Sequence, residues 1–247
     1  MKLLIDIGNS NTKLGIWKYG KLSNTHIIET QNILKVFAKY TNKSISEIFL
    51  TSVISAKDNK KILSHIKRKF NSKIYNITSS KELLGVKNKY KQPSKLGNDR
   101  WCGIVGLYKL YKKPLLIVNC GTAISIDVIN MQGTYLGGYI LGGFDGYKLS
   151  FLKAHNLKNI KLHNSHPTQK LKPSRSTKEA IIEGYTFMVT AAIEKSYKDF
   201  SMLQTKKPLL LIGGGYGKII SQRLVVKNKY EPNLVLKSLG LISDYQD

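Results

Sequence analysis

A chain of 247 residues, 42% hydrophobic and 22% charged, is ordinary for a soluble globular protein and long enough to bury the core of one large or two modest domains. No apolar run approaches the roughly 18 residues of a membrane span, and two cysteines, Cys102 and Cys120, make neither a disulfide framework nor a zinc pattern. The formal net charge of +25 would attract nucleic acid non-specifically, yet only four of the 40 basic residues are arginine and the lysines are spread over the whole length, so neither a nucleic-acid nor a membrane partner is expected.

The first predicted element is a strand, Leu3-Leu-Ile5-Asp6-Ile7, ended by Gly8-Asn9-Ser10-Asn11-Thr12-Lys13 and followed by a second apolar run through Trp17. Asp6 and the polar turn cut the opening apolar stretch too short for a secretory leader, so the expected location is cytoplasmic. A glycine-led turn gathers backbone N–H groups into one concavity that suits phosphate, and a lone carboxylate in a buried strand needs a partner or a cation. An ordinary exposed hairpin whose Asp6 caps the turn is the other reading of these residues. Further strands are expected at His26–Ile28, Glu47–Val53 and Ile74–Ile77, with a short helix over Ile33–Tyr40 and an amphipathic one over Asn59–Phe70.

Tyr90 to Leu96 reads as an irregular loop, broken by Pro93, and Gly97-Asn98-Asp99-Arg100 leads into a helix predicted over Trp101–Lys112. An acid just ahead of a helix is most often an N-cap; it is also well placed to act as a general base, with Arg100 beside it to hold an anion. The two roles are compatible.

Lys112-Lys-Pro114 reads as the boundary between residues 1–113 and 114–247. Beyond it, Leu116-Ile-Val-Asn119-Cys-Gly121-Thr122 repeats the pattern of Leu3 to Asn9, with Asn119 in the place of Asp6 and Gly121 in that of Gly8. Two such units half a chain apart imply a duplicated fold with a phosphate loop in each half, the pair facing each other across a cleft. His155, His163 and His166 fall in a polar stretch where no acid or cysteine completes a metal spacing. Ser176 or Thr177 caps a long helix to about Phe200, whose stripe of Ala180, Ile181, Tyr185, Met188, Val189, Ala192 and Ile193 suits core packing or a subunit interface. Pro208–Ile212 is a buried strand ended by Gly213-Gly-Gly215, which matches neither the Walker nor the dinucleotide fingerprint.

In order along nearly the whole chain, these motifs resemble the type III pantothenate kinase family of the sugar-kinase and actin ATPase superfamily. Asp6 to Lys13 is similar to its first phosphate motif and Gly97–Arg100, with Tyr90 and Pro93 before it, to its pantothenate and catalytic motif. Cys120–Ala123 with Asp127 is similar to the second phosphate motif, and Thr177 with Ala180, Ile181 and Gly184 to a later substrate-contacting segment. The resemblance implies an α/β fold of duplicated actin-like (ribonuclease H-like) ATPase domains, mixed sheets flanked by helices. It implies ATP-dependent phosphorylation of pantothenate, the first step of coenzyme A synthesis. Asp99 would be the catalytic residue, and Asp6, Ile7, Gly8, Asn9, Ser10, Asn11, Thr12, Lys13, Gly121 and Thr122 would hold ATP. Tyr90, Gly97, Asn98, Asp99, Arg100 and Thr177 would hold pantothenate. Asp6 would hold Mg²⁺ through water, and the family's homodimer brings the acceptor site near the subunit interface. Asn119 stands where the family usually has an aspartate that binds a monovalent cation (K⁺ or NH₄⁺); an amide ligates through its carbonyl oxygen but brings no charge. Ser125 replaces a usual threonine and Gly142-Gly143 a Pro-Gly pair. A kinase for another small hydroxyl compound, or a non-catalytic accessory protein of the same family, are the alternatives.

Overall fold

The computed structural model describes residues 1–40, 44–151 and 173–245, so His155, His163 and His166 lie outside the described residues. The chain divides into two compact units: Met1–Lys112 with Gly133–Tyr135 and Val235–Asp247, and Lys113–Gln132 with Leu136–Leu234.

Unit 1 is built on a five-stranded sheet of β1 (Lys2–Ile7), β2 (Asn11–Lys18), β3 (Lys21–Glu29), β4 (Glu47–Ser52) and β5 (Lys73–Asn76) in the order β3-β2-β1-β4-β5. β2 runs antiparallel to β1 and β3, while β1, β4 and β5 are parallel. Leu3, Leu4, Ile5 and Ile7 are all fully buried. A strand covered on both faces reads as a continuous apolar run, which is why only Asp6 stands out in it. Helix α1 (Ile33–Val36) and α2 (Ala56–Lys69) supply Ile33, Val36, Ile62 and Ile66 to one core with Leu3, Ile5 and Ile7. Each such side chain contributes about 1.5–3 kcal/mol on burial. The Ser55 hydroxyl caps α2 by accepting the Asp58 N–H at 3.2 Å. Short strands β6 (Glu82–Leu83) and β7 (Val86–Asn88) follow, then α3 (Asn98–Tyr111), whose residues from Trp101 to Leu107 are all buried.

Unit 2 opens with β8 (Leu115–Cys120) and β9 (Ala123–Ile129), which are antiparallel. β10 (Thr134–Gly142) begins in unit 1, where Thr134 and Tyr135 pair in parallel with Lys87 and Asn88 of β7, and continues in unit 2. Then come α4 (Phe144–Phe151), α5 (Thr177–Met202), β11 (Leu209–Gly213), α6 (Gly217–Arg223) and β12 (Asn228–Tyr230). Strand order runs β12-β11-β8-β9-β10, with β8, β11 and β12 parallel. Central strand, antiparallel neighbour on one side, two parallel strands on the other: the arrangement around β8 repeats the one around β1. Last, α7 (Leu234–Ser243) returns to unit 1 from Val235 onward and buries Leu236, Leu239 and Ile242.

Several boundaries differ from expectation. Helix α3 starts at Asn98 rather than Trp101, and the short helix after β3 is one α-turn, Ile33–Val36, flanked by 3-10 turns. Of the two expected candidates for the cap of α5 it is Ser176, its hydroxyl accepting the Glu179 N–H at 3.3 Å. Ile181, Tyr185, Val189 and Ile193 of the expected stripe are buried together with Ile182, whereas Ala180 and Met188 face solvent.

Candidate active site

The turn between β1 and β2 is closed by the Gly8 N–H donating to Asn11 O at 3.1 Å. A Cβ on Gly8 would come within 2.7 Å of that oxygen, so the closure needs glycine. Asn9, Ser10 and Asn11 are exposed and, with Glu29 and Gln31, line a pocket of about 460 Å³. Ile7 is buried and offers only its backbone. Thr12 is buried as well, and its hydroxyl lies 3.1 Å from that of Thr30. Thr30 in turn donates its hydroxyl to Gly8 O at 2.7 Å and its N–H to Ser10 O at 3.0 Å. Thr12 and Thr30 therefore shape the turn from beneath. Thr30 carries no sequence signal, being 18 residues beyond Thr12 and outside any motif.

Across the β1–β2 ladder Asp6 pairs with Lys13. Burial, then the charge of Asp99, push the Asp6 carboxyl up to about 7, and Lys13 offsets only part of this. The same two carboxylates, after burial itself, hold the Cys102 thiol well above its usual range, so Cys102 is a neutral packing residue and not a nucleophile.

Asp99 is not the cap of α3. Gly97 occupies that position, and Asp99 sits within the first turn with its Oδ1 accepting the N–H of Arg100 at 2.8 Å. A Cβ on Gly97 would approach Asp99 Oδ1 to 2.9 Å, so glycine there leaves the carboxylate its space. Arg100 Nη2 donates to the Tyr135 hydroxyl at 3.0 Å, and the ring of Tyr135 stacks near that of half-buried Tyr90. The Asn98 side chain is used by the backbone: Nδ2 donates to Ser52 O and Oδ1 accepts the Ser79 N–H, each at 2.8 Å. Its role in unit 1 is thus to tie the start of α3 to the end of β4. Asp6, Lys13, Tyr90, Gly97, Asn98, Asp99 and Arg100 all belong to unit 1.

In unit 2 three glycine-bearing segments meet at the end of β8. The Gly121 N–H donates to Ala123 O at 3.0 Å, forming an exposed turn with Thr122. A Cβ on Gly143 would fall 2.2 Å from Thr122 O, and one on Gly214, whose φ is +89°, 2.3 Å from Cys120 O. Only bare backbone fits at either place. Half-buried Asn119 faces Ser125 across the β8–β9 ladder and Gly213 across β8–β11. Asp127 is buried in β9, and Thr177 is the exposed first residue of α5. Among the described residues no group of three or more His, Cys, Asp or Glu forms a ready metal cage.

With this geometry in view, the sequence profile of type III pantothenate kinase matches residues 2–199. The type III pantothenate kinase of Cellvibrio japonicus (strain Ueda107) is 29% identical over 248 residues, covering 99% of this chain and 97% of its own. That of Azoarcus sp. (strain BH72) is 27% identical over 251 residues, covering 98% and 90%. Among solved structures, a Baf family transcriptional activator from Campylobacter jejuni superposes with a TM-score of 0.64 at 20% identity over 98% of both chains. Component A of the Acidaminococcus fermentans (R)-2-hydroxyglutaryl-CoA dehydratase gives 0.60 at 12% identity, covering 100% and 99%. At such identities the structural likeness establishes the fold alone, that of the actin-like ATPases with mixed sheets flanked by helices.

Proposed function

The chain belongs to the type III pantothenate kinase family, and from that premise we propose that it transfers the γ-phosphoryl group of ATP to the primary hydroxyl of pantothenate, the first step of coenzyme A synthesis. The observation that carries this reading is the coupling of Asp6 to Asp99 within unit 1, one at the phosphate turn and the other next to Arg100. A buried carboxyl raised further by a second carboxylate, and relieved only in part by Lys13, fits a divalent cation held by Asp6 through water. Mg²⁺ bound with ATP would neutralise charge on the β- and γ-phosphates.

The chain's own residues do the rest by positioning. Backbone N–H groups from Asn9 to Asn11, in the turn that Gly8 closes, hold phosphate oxygens together with the Lys13 ammonium, and Gly121 and Thr122 are the phosphate contacts of unit 2. Arg100 holds the pantothenate carboxylate, flanked by Tyr90, and Thr177 contributes to acceptor binding. Asp99 takes the proton of the hydroxyl as its oxygen bonds to the γ-phosphorus and the bond to ADP breaks. Asn119 supplies a neutral carbonyl oxygen, so the response to K⁺ or NH₄⁺ is weaker than a carboxylate would give. Helix α5 turns Ala180, Phe187, Met188 and Ala191 to solvent, and this apolar stripe supports a homodimer. No described helix is long and apolar enough to cross a membrane, in keeping with a cytoplasmic enzyme.

The test is ADP release with pantothenate against a panel of sugars and related alcohols. Turnover with pantothenate is expected; turnover with a sugar and none with pantothenate overturns the reading. Sequence-selective DNA binding without any kinase activity would move the protein to an accessory role instead.

A further inference from the structure

No motif marks Tyr135, and nothing in the proposed reaction calls on it. Yet it is fully buried, and its hydroxyl accepts a hydrogen bond from Arg100 Nη2 at 3.0 Å. Its backbone is fixed by a short parallel ladder: the Lys87 N–H donates to Gly133 O at 2.9 Å and the Lys89 N–H to Tyr135 O at 3.2 Å. Directly across that ladder lies Asn88, 6% exposed. Asn88 Oδ1 accepts the Tyr90 N–H at 3.0 Å, while its Nδ2 donates to Ser80 O at 3.1 Å and to the Ser79 hydroxyl at 3.3 Å. One rung of two strands therefore serves both residues expected to meet the acceptor: Tyr135 holds the Arg100 side chain, and Asn88 holds the Tyr90 backbone.

A guanidinium on a long flexible stem loses much rotamer freedom when it grips a carboxylate, and a fixed neighbour that takes one of its N–H groups removes part of that loss beforehand. A phenol with no exposed surface cannot itself reach the acceptor. We propose that Tyr135 is a positioning residue that sets the Arg100 guanidinium for the carboxylate of the acceptor, and so favours acidic acceptors over neutral ones. The inference rests on the pantothenate reading. Its rival is that Tyr135 merely fills the core, a role phenylalanine performs equally well.

The experiment compares wild type, Tyr135→Phe, Arg100→Lys and the double variant, with pantothenate and with the analogue whose carboxylate is replaced by a neutral amide. Tyr135→Phe should lower kcat/KM for pantothenate about tenfold, the size of one hydrogen bond to a charged group, mainly through KM. The amide should lose much less, the KM for ATP should stay within about twofold, and Tyr135→Phe should add nothing further in the Arg100→Lys background. An unchanged kcat/KM for pantothenate overturns the inference, as do equal losses for acid and amide, or equal losses with and without Arg100. A wild-type protein that does not phosphorylate pantothenate overturns the function reading and this inference together; one that does, with Tyr135→Phe indistinguishable from it, overturns this inference alone.

Discussion

Replacing Asp6 by asparagine should stabilise the protein while removing its activity. The carboxyl is displaced from 3.8 to about 7, chiefly by burial and then by Asp99. Because the folded value is the higher one, the native state binds more protons than the unfolded chain between these limits, and stability falls as pH rises through that window. Above it the full cost is present, at most about 4 kcal/mol at 1.36 kcal/mol per pH unit. A side-chain amide never ionises, so in thermal melts with EDTA and without nucleotide Asp6→Asn should melt above wild type at pH 8. At about 2–4 °C per kcal/mol the gap is several degrees, and it should narrow steadily towards pH 5. Mg²⁺ with ATP should raise the wild-type midpoint more than that of the variant, since ligand binding to the native state adds to stability. A variant that melts at or below wild type at pH 8, or a gap that ignores pH, would refute the electrostatic argument.

Asp99→Asn should cut kcat by about 10²–10⁴, as expected for a general base removed without loss of packing, while the melting midpoint at pH 8 holds or rises as Asp6 is relieved of the neighbouring charge; unchanged turnover in an ADP-release assay would take Asp99 out of the reaction. Gly214→Ala should cost about 1–3 kcal/mol or more, from a positive φ and a Cβ thrust onto the Cys120 carbonyl, read as a lowered midpoint in denaturant titration. On the proposed homodimer, Phe187, 69% exposed at the middle of the solvent-facing stripe of α5, should shift the sedimentation coefficient from dimer to monomer when changed to aspartate; an unaltered coefficient would refute this stripe as a subunit contact.

The repeat between Leu3–Asn9 and Leu116–Thr122 was legible because β1 and β8 are central strands covered on both sides. Continuous apolar runs of that kind ending in a glycine turn survive in sequence as plain text, and the matching strand orders follow from them. Helix α3 was harder to bound. Its residues from Trp101 to Leu107 are buried all round, which erases the periodicity that marks an amphipathic helix, and its cap is a glycine with no side chain to advertise it. Asp99 consequently looked like a cap when it lies inside the first turn. In α5 the pattern of apolar residues is wider than the buried face, so Ala180 and Met188 could not be told from Ile181 and Val189 by spacing. Thr30, Asn88 and Tyr135 escaped for a different reason. Thr30 and Tyr135 act on partners 22 and 35 residues away, brought near by the fold and not by any local run, while Asn88 works locally on Tyr90 from a three-residue strand too short to stand out.

Unit 1 takes its last helix from Val235 onward, after the whole of unit 2 has been made. The Trp17 indole donates to Asp244 Oδ1 at 2.8 Å, the Lys2 ammonium to Ser243 O at 2.6 Å, and the backbone of Ser238 lies so close over Gly106 that a Cβ there would approach it to 2.6 Å. During synthesis, then, the strands that carry Asp6 emerge first but wait the longest for their cover. Residues 113–234, by contrast, leave the ribosome as a finished set. The unit begun first is the last to close, and in the interval its apolar face is what a chaperone, or another nascent copy, would meet.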